Sequence, residues 1–518
     1  MLGTFLAAKP RPCGRGASLD GVPGRDEIQR KKCPDINDNL KAGEPGATEW
    51  NVPQSRSSTG MIRVLHSIVA VFKGGTVMTV FRNYAETKNR RPGPLNGIRV
   101  LEVCTLLFGP AGPSFLAELG AEVIKIELPP VGDVTRSLNP FGWFYKEQGP
   151  MFIHINPDKY YMALDLHIDM AQQIFKELCA KSDVVEFNLR PAVTNRWNIG
   201  YEEIKKVNPG IIYIEKNGFG QWGRYAEEDR PSNDGAAQAL SGYAWLSSFA
   251  GQPPLKQSIW ICDVFGAMMG EVAVLSALHY RRRTGKGQYI EMSQSENIMR
   301  AMTWAWPYQQ VTQKHAEPSG NRDQCICPAD TFYCKDGQFV ALAAPAPDEF
   351  KGLCAAMGKP ELAADPRFKD HETRLKDENA LAILKIIADW AAGRTADEVE
   401  RLGVKHGFAA SRVFSAKDEC EDPHRRARGA VKEIDDPMYG QYIDHEIPIN
   451  MSKTPPKHRW SVRPVGFDND YIMTRILGRS EQQLKELYGH GVLGKWKDQQ
   501  GRRPPSDWDG QSGAILRR

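Results

Sequence analysis

Short apolar runs alternate with amphipathic helical runs from residue 98 onward, and this alternation constrains the fold more than any other feature. Apolar runs at 98–103 and 121–127 predict two strands, separated by a glycine- and proline-rich loop and a helix at 113–119. The series continues with predicted helices at 170–180, 201–206 and 264–283 and predicted strands at 183–187, 210–215 and 288–292. Strands that alternate with helices form parallel sheets. The sequence therefore predicts an α/β fold with a doubly wound, Rossmann-like parallel sheet covered by helices.

The length and the pattern further along favour a second, smaller domain. The chain has 518 residues, more than a single hydrophobic core organises. Residues 331–342 predict a hairpin with an Asp-Gly turn, followed by short amphipathic helices at 349–357 and 381–390. We expect a large α/β domain at 94–329, a small α+β domain at 330–430, a return segment at 431–494 that completes the large domain, and a C-terminal tail at 495–518.

The basic charge of the chain is concentrated near its N-terminus. Residues 1–93 carry 15 Lys and Arg against 8 Asp and Glu, whereas the whole chain has a formal net charge of +4. The remaining residues are slightly acidic, which gives no reason to expect nucleic acid as a partner. Low apolar content predicts a disordered basic extension at 1–93. A biological start near Met78 is the alternative interpretation of this segment.

Neither a membrane span nor a metal site is expected from the sequence. The best candidate apolar run, 64–72, is too short to cross a bilayer. The ten cysteines lack the spacing of a disulfide framework, which is typical of reduced thiols in the cytoplasm. Cys325, Cys327 and Cys334 have no further partner at zinc-finger spacing, so we expect no metal there.

The loop after the first strand is a candidate ligand site, because helix N-termini at the carboxyl edge of a parallel sheet present free N–H groups. Glu127 ends the second strand and resembles the ribose-binding acid of dinucleotide folds. The loop reads Gly-Pro-Ala-Gly-Pro over 109–113, which lacks the G-x-G-x-x-G pattern and loses N–H donors at its prolines. An NAD-dependent dehydrogenase is therefore a distant alternative.

Ordered motifs extend from residue 94 to residue 492. They are Pro94-Leu-Asn-Gly-Ile-Arg-Val-Leu-Glu-Val103, Gly109-Pro110, Leu116-Ala-Glu-Leu-Gly-Ala-Glu-Val-Ile-Lys-Ile-Glu127, Gly132-Asp133-x-x-Arg136, segments 156–166, 183–191, 217–220 and 238–242, Asp263 with Gly266, Arg283-Thr-Gly-Lys-Gly-Gln288, and 476–492. In this order they resemble the family III CoA-transferases. The resemblance implies an enzyme that exchanges CoA between an acyl-CoA thioester and a free carboxylic acid, without a metal or redox prosthetic group.

The resemblance places the nucleophile of the family on Asp263. A carboxylate with an unperturbed pKa of ~3.9 is ionised at neutral pH and can attack a thioester carbonyl, so that covalent anhydride and aspartyl-CoA thioester intermediates follow. Asp263 lies just before the predicted long helix, whose N-terminal N–H groups favour an anion. Gly266 is expected to leave room for the thioester. The alternative interpretation of Asp263 is a helix N-cap.

The resemblance also implies where CoA binds. The implied positions are Leu106, Leu107, Phe108, Arg136, Leu164, His167, Asn188, Leu189, Arg190 and Arg196. Arginines at these positions would meet the CoA phosphates, and apolar side chains would pack on adenine. His167 stands where the family often has Lys, and Leu189 where it often has Phe.

Two departures from the family pattern bear on alternative functions. Racemases of the family pair the aspartate with a histidine, whereas this chain has Asn233 in the corresponding Ser-Asn-Asp segment. Asparagine cannot act as a second base, so an acyl-CoA racemase or isomerase is the less favoured alternative. Segment 319–327 has one glycine where some transferases have a glycine-rich cover loop, which leaves a non-catalytic partner subunit as a further alternative.

The family resemblance implies an interlocked dimer, either a homodimer or a heteromer with a related subunit.

Aromatic side chains crowd the segments expected near the acyl group: Tyr243, Trp245, Trp260, Trp304, Trp306 and Tyr308. Such residues either form core or line a pocket for an aromatic or bulky acid.

Overall fold

A six-stranded sheet forms the centre of the computed structural model, which describes residues 93–445 and 447–510. Its strands are β1 (Arg99–Val103), β2 (Glu122–Glu127), β3 (Tyr160–Ala163), β4 (Val184–Phe187), β5 (Ile212–Asn217) and β6 (Gln288–Ser293). The predictions of a disordered N-terminal extension, of a start near Met78 and of a short apolar run at 64–72 fall outside the described residues.

All neighbouring strands in this sheet run parallel, in the order β3-β2-β1-β4-β5-β6. Leu101 of β1 lies opposite Ile124 on one side and Val185 on the other, and all three side chains are buried. The strand order reverses between β1 and β4, so the loops after these two strands diverge and open a crevice at the carboxyl edge. The predicted doubly wound α/β fold is confirmed.

Helices cover both faces of the sheet. In chain order they are α1 (Ala111–Glu118), α2 (Pro150–Ile155), α3 (Asp169–Cys179), α4 (Val193–Arg196), α5 (Tyr201–Val207), α6 (Arg224–Glu227), α7 (Asp234–Leu240), α8 (Tyr243–Leu246), α9 (Ile261–Thr284), α10 (Gln294–Met299) and α11 (Ala305–Thr312), with 3-10 turns at Val134–Arg136 and Pro140–Gly142. The core on one face combines Val100, Val184 and Ile212 with Val274 and Ala277 of α9.

Helix α9 is long and apolar enough to cross a membrane by length and composition. The core helix of a protein without a membrane span meets the same criterion, and the buried side of α9 packs against the sheet. Its C-terminus is marked by Gly285 at φ 73°, a left-handed conformation that suits glycine, and Arg281–Arg283 lie in its last turn.

Residues 329–412 contain a second, antiparallel sheet with its own hydrophobic core. Its strands are β7 (Ala329–Tyr333), β8 (Phe339–Ala343) and β9 (Ala409–Arg412), and α12 (Pro347–Ala356), Pro360–Ala364 (3-10), α13 (His371–Leu375), α14 (Asp377–Ala391) and α15 (Ala396–His406) pack around them. Phe332, Val340, Leu353 and Ile383 are among the buried side chains that form this core. The short helices α16 (Ala416–Glu421) and α17 (Pro423–Ala427) follow.

The C-terminal segment returns to the β3 edge of the large sheet. It contains β10 (Lys432–Asp436), β11 (Gly440–Asp444), α18 (Asn469–Tyr471), a π turn at Ile472–Ile476 and α19 (Glu481–Gly489). The Asp468 carboxylate accepts a hydrogen bond from the Tyr161 N–H at 2.8 Å, and Leu164 forms a bridge with Leu493. Residues about 300 positions apart in sequence thereby meet at this edge.

Candidate active site

Asp263 is the third residue of α9, so the structure differs from the N-cap interpretation. The cap position belongs to Trp260, which makes no side-chain capping bond. The first turn of a helix has unsatisfied N–H groups and the positive end of the helix dipole, both of which favour an anion. Asp263 is 8% exposed, and its Oδ1 accepts a hydrogen bond from the side-chain amide of Gln294 at the start of α10.

The environment of Asp263 raises its pKa to about 7. Burial is the largest cause, because it disfavours the charged form, and the nearby Asp234 carboxylate adds to it. The hydrogen bond from Gln294 and the charge of Lys256 act in the opposite direction. The unperturbed value expected from the sequence therefore does not apply, and Asp263 titrates close to neutral pH.

Asp234 fixes the position of the start of helix α9. Its buried carboxylate accepts hydrogen bonds from the Cys262 N–H at 2.9 Å and from the Gln238 amide at 2.6 Å, and Lys256 Nζ lies 4.0 Å away. Because Asp234 is the first residue of α7, these hydrogen bonds connect the N-terminus of α7 to the first turn of α9. Asn233 caps α7, since its side chain accepts from the Ala236 N–H at 3.0 Å.

A cavity of about 510 Å³ opens in front of Asp263. It brings together six of the residues predicted from the sequence: Leu106, Leu107, Phe108, Asn188, Leu189 and Arg190. Trp260, Lys256 and Gln294 line the same space, which we call the nucleophile cavity. The room expected above Gly266 is taken by the ring of Phe108, because a Cβ at Gly266 would lie 2.5 Å from that ring.

A smaller cavity of about 230 Å³, which we call the strand-end cavity, lies at the carboxyl ends of β1, β2 and β3. Its lining includes three of the CoA-binding positions implied by the resemblance, Leu164, His167 and Leu189. Leu166 and Trp197 also line it. His167 Nδ1 lies 2.7 Å from Asp165 Oδ1, and its ring meets that of Trp197 edge-on at 4.9 Å. Leu189 lines both cavities and so lies between them.

Two predicted arginines do not line either cavity. Arg136 is fully buried, with its guanidinium 2.7 Å from the Glu127 carboxylate and 4.0 Å above the Phe152 ring. Arg136 therefore does not present its charge to a ligand. Glu127, the acid that resembles the ribose-binding residue of dinucleotide folds, is engaged in the same ion pair. Arg196 is exposed at the end of α4, outside the residues that line the two cavities.

Asn188 and Asp133 hold the loop between the two cavities. Asn188 exchanges two hydrogen bonds with the backbone of Thr105, at 2.9 and 2.6 Å. Asp133 accepts from the N–H of Leu106 at 3.1 Å and forms a buried ion pair with Lys125. These contacts stabilise Leu106 at φ 66°, a conformation that costs energy for a residue with a side chain.

Sequence reasoning missed Gln294, Asp234 as a positioning residue, and Trp197. No local pattern around Gln294 signals its role, because it reaches Asp263 across 31 positions through the packing of α10 on α9. Asp234 was visible only as a neighbour of Asn233. Trp197 follows the predicted Arg196 directly, and its aromatic ring is the signal that could have found it.

A sequence profile described as CoA-transferase family III matches residues 95–469. The chain belongs to this family. It is 33% identical to a succinyl-CoA:D-citramalate CoA-transferase of Chloroflexus aurantiacus, over 79% of this chain and all of that protein. It is 30% identical to the beta subunit of a succinyl-CoA:L-malate CoA-transferase of the same organism, over 77% of this chain and 98% of that subunit.

Among solved structures, a CAIB/BAIF family protein from Brucella suis superposes with a TM-score of 0.66 at 27% identity, covering 74% of this chain and all of that one. The protein is an enzyme that transfers CoA, and CoA thioesters are its substrates.

Proposed function

We propose that the protein exchanges CoA between an acyl-CoA and a free carboxylic acid through covalent intermediates on Asp263. The observation that carries this proposal is a buried carboxylate at the start of a helix, facing a cavity that the loops expected to bind CoA also line. An Asp263 oxygen attacks the thioester carbonyl, the C–S bond breaks, and CoA leaves as thiolate. The product on the enzyme is a mixed anhydride between the Asp263 carboxylate and the acyl group. The thiolate then attacks the aspartyl carbonyl and expels the donor acid, which leaves an aspartyl-CoA thioester.

The second half of the exchange repeats these steps in reverse. The acceptor carboxylate attacks the aspartyl thioester, CoA leaves, and a second mixed anhydride forms. CoA thiolate attacks the acceptor carbonyl of that anhydride, so the new acyl-CoA departs and the Asp263 carboxylate is restored. The Gln294 amide, which donates to the Asp263 carboxylate, is a donor available to the oxygens that gain charge in these steps.

The two cavities fit the two ends of an acyl-CoA. The apolar walls of the strand-end cavity, including Leu164, Leu166 and Trp197, suit the adenine ring. Arg190 lines the nucleophile cavity with an exposed side chain and pairs with Asp229 at 3.2 Å, so it is available to exchange that partner for a phosphate. In this arrangement the pantetheine chain passes Leu189 on its way to Asp263.

We propose a dicarboxylic acid as the acceptor class. Citramalate and malate, which the names of the relatives specify, are dicarboxylic acids. Arg230 lines the nucleophile cavity with its guanidinium 4.7 Å above the Tyr225 ring, and it forms no ion pair with a carboxylate in the described part of the chain. It is therefore a cation available to the distal carboxylate of such an acid.

An aromatic or bulky acid is the second candidate, supported by the aromatic lining of the same cavity. Trp260, Phe219 and Tyr225 line it. Of the aromatic residues singled out in the sequence, Tyr243, Trp245, Trp304, Trp306 and Tyr308 lie outside that lining. Competition between succinate and 3-phenylpropionate as acceptors separates the candidates, because 3-phenylpropionate has a phenyl group in place of the distal carboxylate, so a preference for it supports the bulky acid and a preference for succinate supports the dicarboxylic acid.

The quaternary structure is also a proposal, either an interlocked homodimer or a heteromer with a related subunit. Helix α9 exposes apolar side chains at Val264, Met268, Val272 and Leu275, on the side away from the sheet. Burial of this surface against a second subunit would remove it from water. The relative that is named as a beta subunit supports the heteromer as the alternative.

Trapping of the intermediate tests the mechanism. The enzyme is incubated with succinyl-CoA and then with hydroxylamine or borohydride, and the peptide that contains Asp263 is examined by mass spectrometry. A modified Asp263 that is absent in Asp263→Asn supports the proposal, and Asp169→Asn, an exposed first-turn aspartate of α3, is the matched control. Absence of an adduct with every acyl-CoA, together with an unchanged activity of Asp263→Asn, refutes it. A racemase would instead exchange the α-proton with deuterium from solvent when no acceptor acid is present.

A further inference from the structure

Two histidines and an aspartate meet where the β10–β11 hairpin packs against α2, away from the residues that line the two cavities. His154 lies on α2, Asp444 ends β11 and His445 follows it. His154 Nδ1 lies 3.0 Å from Asp444 Oδ1, and the two imidazole rings meet at 70° with their centroids 4.1 Å apart. One potential ligand atom from each residue lies within 4.8 Å of the other two.

We propose that His154, Asp444 and His445 bind a divalent transition-metal ion that prefers imidazole, such as Zn²⁺. Two imidazoles and one carboxylate are a common donor set for zinc, which takes nitrogen and oxygen ligands in tetrahedral geometry with water in a free position. Ligand atoms bound tetrahedrally at about 2.0–2.2 Å from zinc lie roughly 3.3–3.6 Å apart. The ligand atoms of the cluster all lie within 4.8 Å of one another, so the widest separation has to shorten by about 1 Å, which rotation of the exposed imidazoles can supply.

The carboxylate of this cluster is already oriented, while the imidazoles are open to solvent. The Asp444 side chain is 8% exposed, and its Oδ1 accepts the N–H of His445 at 2.8 Å. Its Oδ2 lies 4.0 Å from Nδ1 of the buried His458, whose Nε2 is 3.1 Å from the Tyr442 hydroxyl. Outer contacts of this kind hold a metal-binding carboxylate in place. The His154 side chain is 46% exposed, which gives an ion a path to the cluster.

A metal at this position would link the return segment to helix α2. His154 and Asp444 are 290 positions apart, and the hairpin shares a hydrophobic cluster with Phe152 and Ile153 of α2. The same helix carries Met151, which lines the nucleophile cavity. The ion would therefore stabilise the wall of the active site, and it takes no part in the CoA exchange.

Metal binding by the whole, tag-free chain tests this proposal. After treatment with a chelator, the protein is titrated with Co²⁺ and followed by visible absorption, and with Zn²⁺ in a calorimeter. We expect one equivalent with a d–d spectrum of nitrogen and oxygen ligands, and a rise in Tm when the ion is present. His154→Ala and His445→Ala should weaken binding by about tenfold or more. His424→Ala, on the exposed helix α17, is the matched control and should bind like wild type.

His154→Gln and His445→Gln repeat the test with side chains that stay polar and similar in size, and circular dichroism reports whether each variant folds. The proposal is overturned if wild type binds no stoichiometric Co²⁺ or Zn²⁺, or if the histidine variants bind as tightly as His424→Ala. A thiolate-to-cobalt charge-transfer band would also overturn it, because that band assigns the ion to cysteines such as the exposed Cys325. None of these outcomes depends on activity, so they are independent of the proposed function.

Discussion

Gln294, the first residue of α10, donates its side-chain amide to the carboxylate of Asp263 in the first turn of α9. This contact joins two helices that lie next to each other in the fold. The amide favours the charged form of the carboxylate, whereas burial and Asp234 disfavour it. The balance of these effects sets both the reactivity and the pH range of the candidate nucleophile.

The first prediction concerns the proposed nucleophile. Asp263→Asn keeps the shape of the side chain and removes the anionic oxygen that we propose attacks the thioester, so CoA exchange should fall by about 10³-fold or more. Initial rates of acyl-CoA formation with a free acid measure this effect. Asp169→Asn should retain the wild-type rate, and an Asp263→Asn variant with a comparable rate would contradict the assignment.

The second prediction is the pH profile of the reaction. Because the attacking group must be deprotonated and the pKa of Asp263 is about 7, kcat/KM should increase as the pH rises through about 7 and then level off. Gln294→Leu removes a hydrogen bond that lowers this pKa, so the midpoint should move to higher pH. A wild-type profile that is flat between pH 5 and 8 would contradict the prediction, as would an unchanged midpoint in Gln294→Leu.

The third prediction is that Asp263 lowers the stability of the fold above its unfolded pKa. Its folded pKa of about 7 exceeds the ordinary value of 3.8, so the folded state binds more protons between these values and becomes less stable as the pH rises through them. The Tm of Asp263→Asn relative to wild type should therefore increase from about pH 4 to about pH 7 and stay constant above it. Calorimetry or dye-based melting across this range measures the difference, and an offset independent of pH would contradict the prediction.

The fourth prediction concerns acceptor selectivity. If Arg230 meets the distal carboxylate, Arg230→Met should raise the KM for succinate by about tenfold or more, because a charge-assisted contact is lost. The KM for butyrate, which has the same carbon number and one carboxylate, should stay within about twofold of wild type. Arg224→Met, on the exposed helix α6, is the control. Equal effects on both acids would exclude Arg230 as the residue that distinguishes them.

The fifth prediction concerns the exposed apolar side of α9. Val272→Glu places a charge on a surface that we propose to be buried between subunits, so fewer dimers should assemble as the chains fold, and light scattering of the purified variant should detect monomer that wild type lacks. Leu381→Glu changes an equally apolar, exposed position on α14 and should leave the mass unchanged. A dimer that tolerates Val272→Glu at micromolar concentration would place the interface elsewhere.

The sequence by itself determined the order and type of the main elements. The predicted strands at 98–103, 121–127 and 210–215 lie within one or two residues of β1, β2 and β5, because their apolar runs are bounded by glycine and proline. The family resemblance singled out Asp263, which composition and spacing alone would have assigned to a helix cap. The cavity-lining loop residues 106–108 and 188–190 also came from that resemblance.

Only the tertiary structure decided what surrounds these residues. Arg136 is buried because Glu127, at the end of a neighbouring strand, satisfies its charge, and a sequence pattern does not distinguish this from an arginine that faces a ligand. Packing brings Gln294 to Asp263, Asp234 to Cys262 and His154 to Asp444. The residues of these pairs are 28 to 290 positions apart in sequence. Local periodicity reports which face of an element is apolar, whereas desolvation and contacts between distant residues set pKa values and ligand geometry. Those effects exist only once the chain has folded.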